Sequence, residues 1–180
     1  MSDSRLIPLF FLCDESQRIA AADLTSIQDN LQSLHSKIVN DSVLESRTRL
    51  SIASFASDCE ILIPCARPSE IRELLSFVPG GSCNFGNALR KIMMTIETDI
   101  NNLKMEGVQN GIGVLRPTLV ILLGDEPTDE WLNEFAAITN RSTFRFAPNT
   151  SVQVLTAVSQ KTFEQIALIG ADNDVACERI

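Results

Sequence analysis

Residues 6–16 read LIPLFFLCDES, an almost unbroken apolar run that ends in a carboxylate and a hydroxyl two residues apart. A run of this kind is typical of a strand buried on both faces of a sheet. Residues 119–128 repeat the pattern as LVILLGDEPT, which is again apolar up to an aspartate. Asp14 and Asp125 therefore each follow a predicted buried strand, and we expect them to share one polar site at the carboxyl ends of the strands.

Helical and strand-like patterns alternate along the rest of the chain. Two β-like stretches, 49–56 and 60–65, are joined by a turn so short that they predict an antiparallel hairpin. The alternation predicts a three-layer α/β/α fold with a mostly parallel central sheet and one antiparallel edge strand. Helices are predicted after residue 16, at 69–77, from 85 to a break at 107–113, from 128 and at 161–168. Further strands are predicted at 118–123, 144–146 and 151–158.

The length of 180 residues predicts a single domain spanning residues 1–180. A net charge of −8 without a basic stripe disfavours nucleic acid and anionic membranes as main partners. The longest apolar runs fall well short of the roughly 20 residues that span a bilayer. Five cysteines without a C-x-x-C pair, beside one histidine, indicate free thiols rather than zinc or disulfides. We therefore expect a cytoplasmic protein.

A third stretch, residues 79–86, reads PGGSCNFG and opens into the long predicted helix. With an Asp-x-Ser after the first strand and a later apolar strand ending in Asp, the sequence resembles a von Willebrand factor A (vWA) domain over essentially its whole length. Residues 122–131, LLGDEPTDEW, are similar to a phrase of the bacterial tellurium-resistance (TerY-like) subgroup of that family.

The resemblance implies a metal-ion-dependent adhesion site (MIDAS) that holds Mg²⁺ through oxygen ligands from three loops. Mg²⁺ requires near-octahedral oxygen coordination, which a soft thiol serves poorly. Carried onto this chain, the ligand positions are Asp14, Ser16, Ser82, Cys83 and Asp125.

Three departures from the family pattern predict that Mg²⁺ binding is weak. Arg18 stands where the second serine of the first motif is expected. Cys83 falls on the threonine position, with Ser82 one residue away, and Gly124 replaces the threonine before Asp125. We expect the Arg18 guanidinium to pair with Asp14 or Asp125 and to take over the charge role of the metal.

Three functions are compatible with the sequence. The resemblance favours a non-enzymatic protein-interaction module of a bacterial stress-response or signalling system, associated with kinase or phosphatase partners, with Glu15 and Arg18 as partner-binding residues. One alternative is a haloacid-dehalogenase-like phosphohydrolase with Asp14 as nucleophile and Asp125 and Asp129 as its later acidic pair. That chemistry requires a second aspartate where Ser16 stands. The other is a structural vWA domain without a working metal site.

Overall fold

The structure is a computed structural model that describes residues 5–73, 76–139, 150–171 and 175–179. Within these ranges six strands form one sheet. The strands are β1 (Ile7–Asp14), β2 (Thr48–Phe55), β3 (Cys59–Ala66), β4 (Thr118–Leu123), β5 (Ser151–Thr156) and β6 (Val175–Arg179). The helices are α1 (Ala21–Asn40), α2 (Ser42–Arg47), α3 (Phe85–Asn110), α4 (Leu132–Thr139) and α5 (Gln160–Ala171), with a 3₁₀ turn at Pro68–Glu70.

The strand order across the sheet is β3-β2-β1-β4-β5-β6. Only the pairing of β2 with the edge strand β3 is antiparallel, because a three-residue connection turns the chain back on itself. Helices flank the sheet, so the predicted fold class is confirmed. From β1 the chain proceeds first to β2 on one side and later to β4 on the other. The strand order therefore reverses between β1 and β4, which is where ligands bind in sheets of this type.

Alternating side chains of the central strands enter two apolar clusters. Phe10 and Leu12 of β1 belong to a cluster that includes residues of α3, α4 and α5, whereas Phe11 and Cys13 belong to a cluster with α1. Both faces of β1 are thus covered, which explains why its sequence is an unbroken apolar run. Among the described residues, no helix combines the length and apolar character that crossing a bilayer requires.

Several predicted boundaries were wrong. The helix expected over 69–77 is only a 3₁₀ turn at its start, because residues 71–73 are not helical, and 74–75 lie outside the described residues. Helix α3 does not break at Gly107 but runs to Asn110 and ends at Gly111, whose φ of 68° is left-handed. The strand predicted at 144–146 lies outside the described residues, and the strand β6 was not predicted.

Helix α3 passes through Gly107 for a steric reason. A Cβ at Gly107 would lie 2.3 Å from the carbonyl oxygen of Ile112, so the returning chain packs directly on the helix backbone there. The glycine therefore serves close packing and not helix termination.

Candidate functional site

Asp14, the last residue of β1, joins the loops that follow β1 and β4. Its Oδ1 accepts a hydrogen bond from the Ser16 N–H at 2.9 Å. Its Oδ2 accepts from the N–H groups of Gly124 at 3.1 Å and Asp125 at 2.9 Å. The residue is 1% exposed, and burial raises the pKa of its carboxyl group although these N–H donors oppose the shift. Asp14 thus acts as a buried connector between two loops.

Cys83 lies beside this connector, at the position where the family pattern has threonine. Its Sγ is 3.6 Å from Asp14 Oδ2 and 3.5 Å from the carbonyl oxygen of Asp125. Burial first, and then the charges of Asp14 and Asp125, raise the pKa of the Cys83 thiol far above its ordinary value. Cys83 is therefore a neutral thiol that donates weak hydrogen bonds, and not a thiolate.

Arg18 pairs with Asp125 at the surface of the same site. Its Nε donates to Asp125 Oδ2 at 2.8 Å, and the Ser16 hydroxyl donates to the same oxygen at 3.3 Å. Asp125 Oδ1 accepts from the N–H of Glu126 at 2.7 Å. The Arg18 side chain is 60% exposed and the Asp125 side chain 10%. Of the two partners expected for Arg18, the structure shows Asp125.

Two of the predicted site residues point elsewhere. The Ser82 hydroxyl forms hydrogen bonds with Ser57 Oγ at 3.2 Å and Asn84 Oδ1 at 3.1 Å. Glu15 is half-buried, and its Oε2 accepts from the N–H of Val78 at 3.0 Å. Asp14, Ser16, Cys83, Asp125 and Arg18 are therefore brought together, whereas Ser82 and Glu15 hold neighbouring loops in place.

The loop after β4 also fixes the start of α3, a role that the sequence reasoning missed. Thr128 donates from its N–H and its hydroxyl to the carbonyl oxygen of Cys83, at 2.8 and 3.0 Å. Asp129 accepts from the N–H groups of Gly86 and Asn87, both at 2.9 Å. We predicted that Thr128 and Asp129 begin their own helix, but α4 begins at Leu132. Asp129 instead caps α3, and Thr128 holds the chain just before it.

Glu126, in the same loop, ties the site to the start of α5. It accepts from the Thr162 hydroxyl at 2.6 Å and from the N–H of Ser159. Although burial opposes the shift, these hydrogen bonds lower the pKa of Glu126, so that it remains a carboxylate at neutral pH. Hydrogen bonds of the loop 124–129 therefore link the end of β1 to the starts of α3 and α5.

The donor set does not fit Mg²⁺ as it is arranged. N–H donors occupy both Asp14 oxygens, and Arg18 occupies the Asp125 oxygen that faces Ser16. The third loop offers a neutral thiol at Cys83 in place of a hydroxyl oxygen, which is a poor ligand for a hard cation. In the described part of the chain no group of three or more His, Cys, Asp or Glu side chains is placed to hold a metal ion.

No family model matches the sequence, and no curated protein matches it significantly. Solved structures do match. The ArnB paralog VWA2 from Sulfolobus acidocaldarius is 15% identical with a TM-score of 0.64, over 99% of this chain and 42% of that one. Proximal thread matrix protein 1 from the mussel byssus is 12% identical with a TM-score of 0.64, over 98% of this chain and 44% of that one. This chain spans less than half the length of either protein.

BatB from Bacteroides thetaiotaomicron is 13% identical with a TM-score of 0.58, over 97% of this chain and 90% of that one. The mussel protein has also been solved with a zinc-occupied MIDAS motif, and this form is 11% identical with a TM-score of 0.62, over 98% of this chain and 44% of that one. Identities this low establish the fold alone. The sheet order, the loops that meet between β1 and β4, and these matches together show that the chain has the von Willebrand factor A fold.

Proposed function

We propose that the chain is a non-enzymatic protein-interaction module that binds a partner protein at the carboxyl edge of its sheet. The observation that carries the proposal is the way in which the side chains of the site between β1 and β4 are paired and exposed. Its buried groups are satisfied by one another, while Arg18 stands exposed on loops that several hydrogen bonds hold in place. A charged group held in place at the carboxyl ends of the strands is suited to recognition of another molecule.

Several features argue against catalysis at this site. A phosphoryl-transfer nucleophile must present a free carboxylate oxygen, but both oxygens of Asp14 accept N–H groups inside the protein. Asp129, the expected second acid of a phosphohydrolase, is engaged at the start of α3. Ser16 stands where that chemistry requires an acid, and Cys83 is a neutral thiol. The phosphohydrolase alternative therefore receives no support.

We further propose that the module operates in a bacterial stress-response or signalling system, with partners associated with a kinase or phosphatase. The similarity of residues 122–131 to the tellurium-resistance subgroup supports this setting. Within this stretch, residues 124–129 form the loop that joins β1, α3 and α5 around the site.

Site-directed photo-crosslinking in living bacterial cells tests the interaction. A photoreactive residue replaces Gln17, which is exposed beside Arg18, and in a matched control it replaces Asp29, which is exposed on α1. We expect a discrete crosslinked protein from position 17 and none from position 29, because the partner covers the carboxyl edge. Equal labelling from both positions, or none from position 17, contradicts the proposal.

A phosphatase assay on the purified protein tests whether the chain is non-enzymatic. With p-nitrophenyl phosphate and Mg²⁺ we expect no hydrolysis above buffer, because Asp14 is buried and both of its oxygens accept N–H groups inside the protein. Hydrolysis that disappears in an Asp14→Asn protein whose circular dichroism still shows it to be folded would establish a phosphohydrolase instead.

A further inference from the structure

The site contains two carboxylates that the family pattern pairs with a divalent ion, and the structure places another cation against one of them. We infer that the Arg18 guanidinium takes the place of the metal and binds a carboxylate of the partner protein directly, in a metal-independent interaction. The inference rests on the proposed function, since it specifies the chemistry of the partner.

The charge of Arg18 acts on one of the two carboxylates to which the family pattern assigns the metal. Its Nε is 2.8 Å from Asp125 Oδ2, the oxygen that also accepts from the Ser16 hydroxyl. A divalent cation at that oxygen would lie beside the guanidinium, and the repulsion between the two charges would oppose its binding. Asp14 requires no cation for its own stability, because backbone N–H groups of three residues already donate to it.

The same guanidinium has donors left for a ligand. Nε carries the contact with Asp125, while Nη1 and Nη2 form no hydrogen bond with any of the described residues. The side chain is 60% exposed, so these two groups are accessible from solvent. Two parallel N–H groups on a guanidinium match the two oxygens of a carboxylate, which a lysine ammonium cannot reproduce.

The surroundings restrict the kind of acid that fits. The carboxylates of Asp125 and Glu126 already act on Arg18, and the chain as a whole has a net charge of −8. This negative charge repels a strongly acidic segment. The partner that fits best is therefore a single aspartate or glutamate, or a chain-terminal carboxylate, with neutral or basic neighbours.

The first test probes the carboxylate directly with sodium acetate, using sodium chloride at equal ionic strength as the control. The Nε–Hε signal of Arg18 is followed by NMR in the presence of EDTA and is assigned by its loss in Arg18→Lys. We expect acetate to shift this signal together with the amides of Ser16 and Asp125, and chloride to leave them unchanged. Equal responses to both salts, or an acetate response that appears only when Mg²⁺ is added, overturn the inference.

The second test restores the family's oxygen donors. Wild type and Arg18→Ser/Cys83→Thr are unfolded thermally in EDTA and in excess Mg²⁺. We expect no Tm change in wild type and a rise of about 5 °C or more in the double variant, as binding well above Kd should produce in a domain of this size. A Mg²⁺-dependent rise in wild type, or none in a folded double variant, contradicts the inference. If the double variant does not fold, the wild-type comparison decides.

The two proposals fail differently. A partner that crosslinks at position 17 but is still captured by Arg18→Ala, or only in the presence of Mg²⁺, leaves the interaction function standing and removes the role of Arg18. Absence of any crosslink at position 17 removes the interaction function, while the acetate and Mg²⁺ experiments still report on the guanidinium.

Discussion

Replacing Asp14 with alanine is expected to lower the free energy of unfolding by about 3–5 kcal/mol, the largest effect of any single polar substitution at the site. The side chain is buried and accepts N–H groups from Ser16, Gly124 and Asp125. Each buried donor left without an acceptor costs about 1–3 kcal/mol, and the loops after β1 and β4 lose their shared anchor. Urea unfolding followed by circular dichroism at neutral pH measures the change.

Two further variants make the Asp14 result specific. Asp14→Asn keeps the shape but turns an amide NH₂ toward backbone donors, so it should also destabilise the protein. Asp29→Ala removes an exposed carboxylate from α1 and should stay within about 0.5 kcal/mol of wild type. A loss below about 1 kcal/mol for Asp14→Ala would show that the two loops do not depend on this carboxylate.

Replacing Phe85 with alanine is expected to destabilise the protein by about 3–5 kcal/mol. Phe85 is 0% exposed, and its ring centroid lies 5.8 Å from that of Phe55, 5.7 Å from that of Trp131 and 6.3 Å from that of Phe135. It is the first residue of α3 and follows Cys83 closely, so the cavity would form directly beneath the site loop. Denaturant unfolding measures the loss.

Met94→Ala, on the same helix but 70% exposed, is the matched control and should be nearly neutral. The site itself should also loosen in Phe85→Ala, because the start of α3 carries the N–H groups that Asp129 accepts. Faster amide hydrogen exchange at Gly86 and Asn87 would report this change. A Phe85→Ala protein as stable as Met94→Ala would show that the aromatic cluster does not support the site.

The elements predicted most securely from the sequence are the central strands that are packed on both faces. Strands β1 and β4 are covered on both faces, so continuous apolar runs identified them. Strand β6 lacked such a signal, because it is short and the residues between 175 and 179 are half-buried or exposed. The early end predicted for α3 failed because Gly107 was taken as a helix breaker, whereas the close approach of Ile112 requires it.

Of the residues predicted for the candidate site, Asp14, Ser16, Arg18, Cys83 and Asp125 lie together, whereas Ser82 and Glu15 contact other loops. Asp14 and Asp125 could be paired from sequence because each follows a buried strand and the ends of parallel strands meet. The sequence did not reveal that Asp129 caps α3 across 43 positions of chain, since a Thr-Asp-Glu run is an equally good start for its own helix. In the structure Asn84, which precedes α3, makes no side-chain capping bond, and Asp129 supplies the cap instead.

We infer that an arginine, and not a metal ion, accompanies Asp125 in this vWA fold. Crystals grown with excess Mn²⁺ and measured near the manganese absorption edge test it most directly. We expect no anomalous peak between Asp14 and Asp125, and Arg18 Nε within hydrogen-bond distance of Asp125 Oδ2. An anomalous peak coordinated by these carboxylates, with Arg18 displaced into solvent, would contradict it.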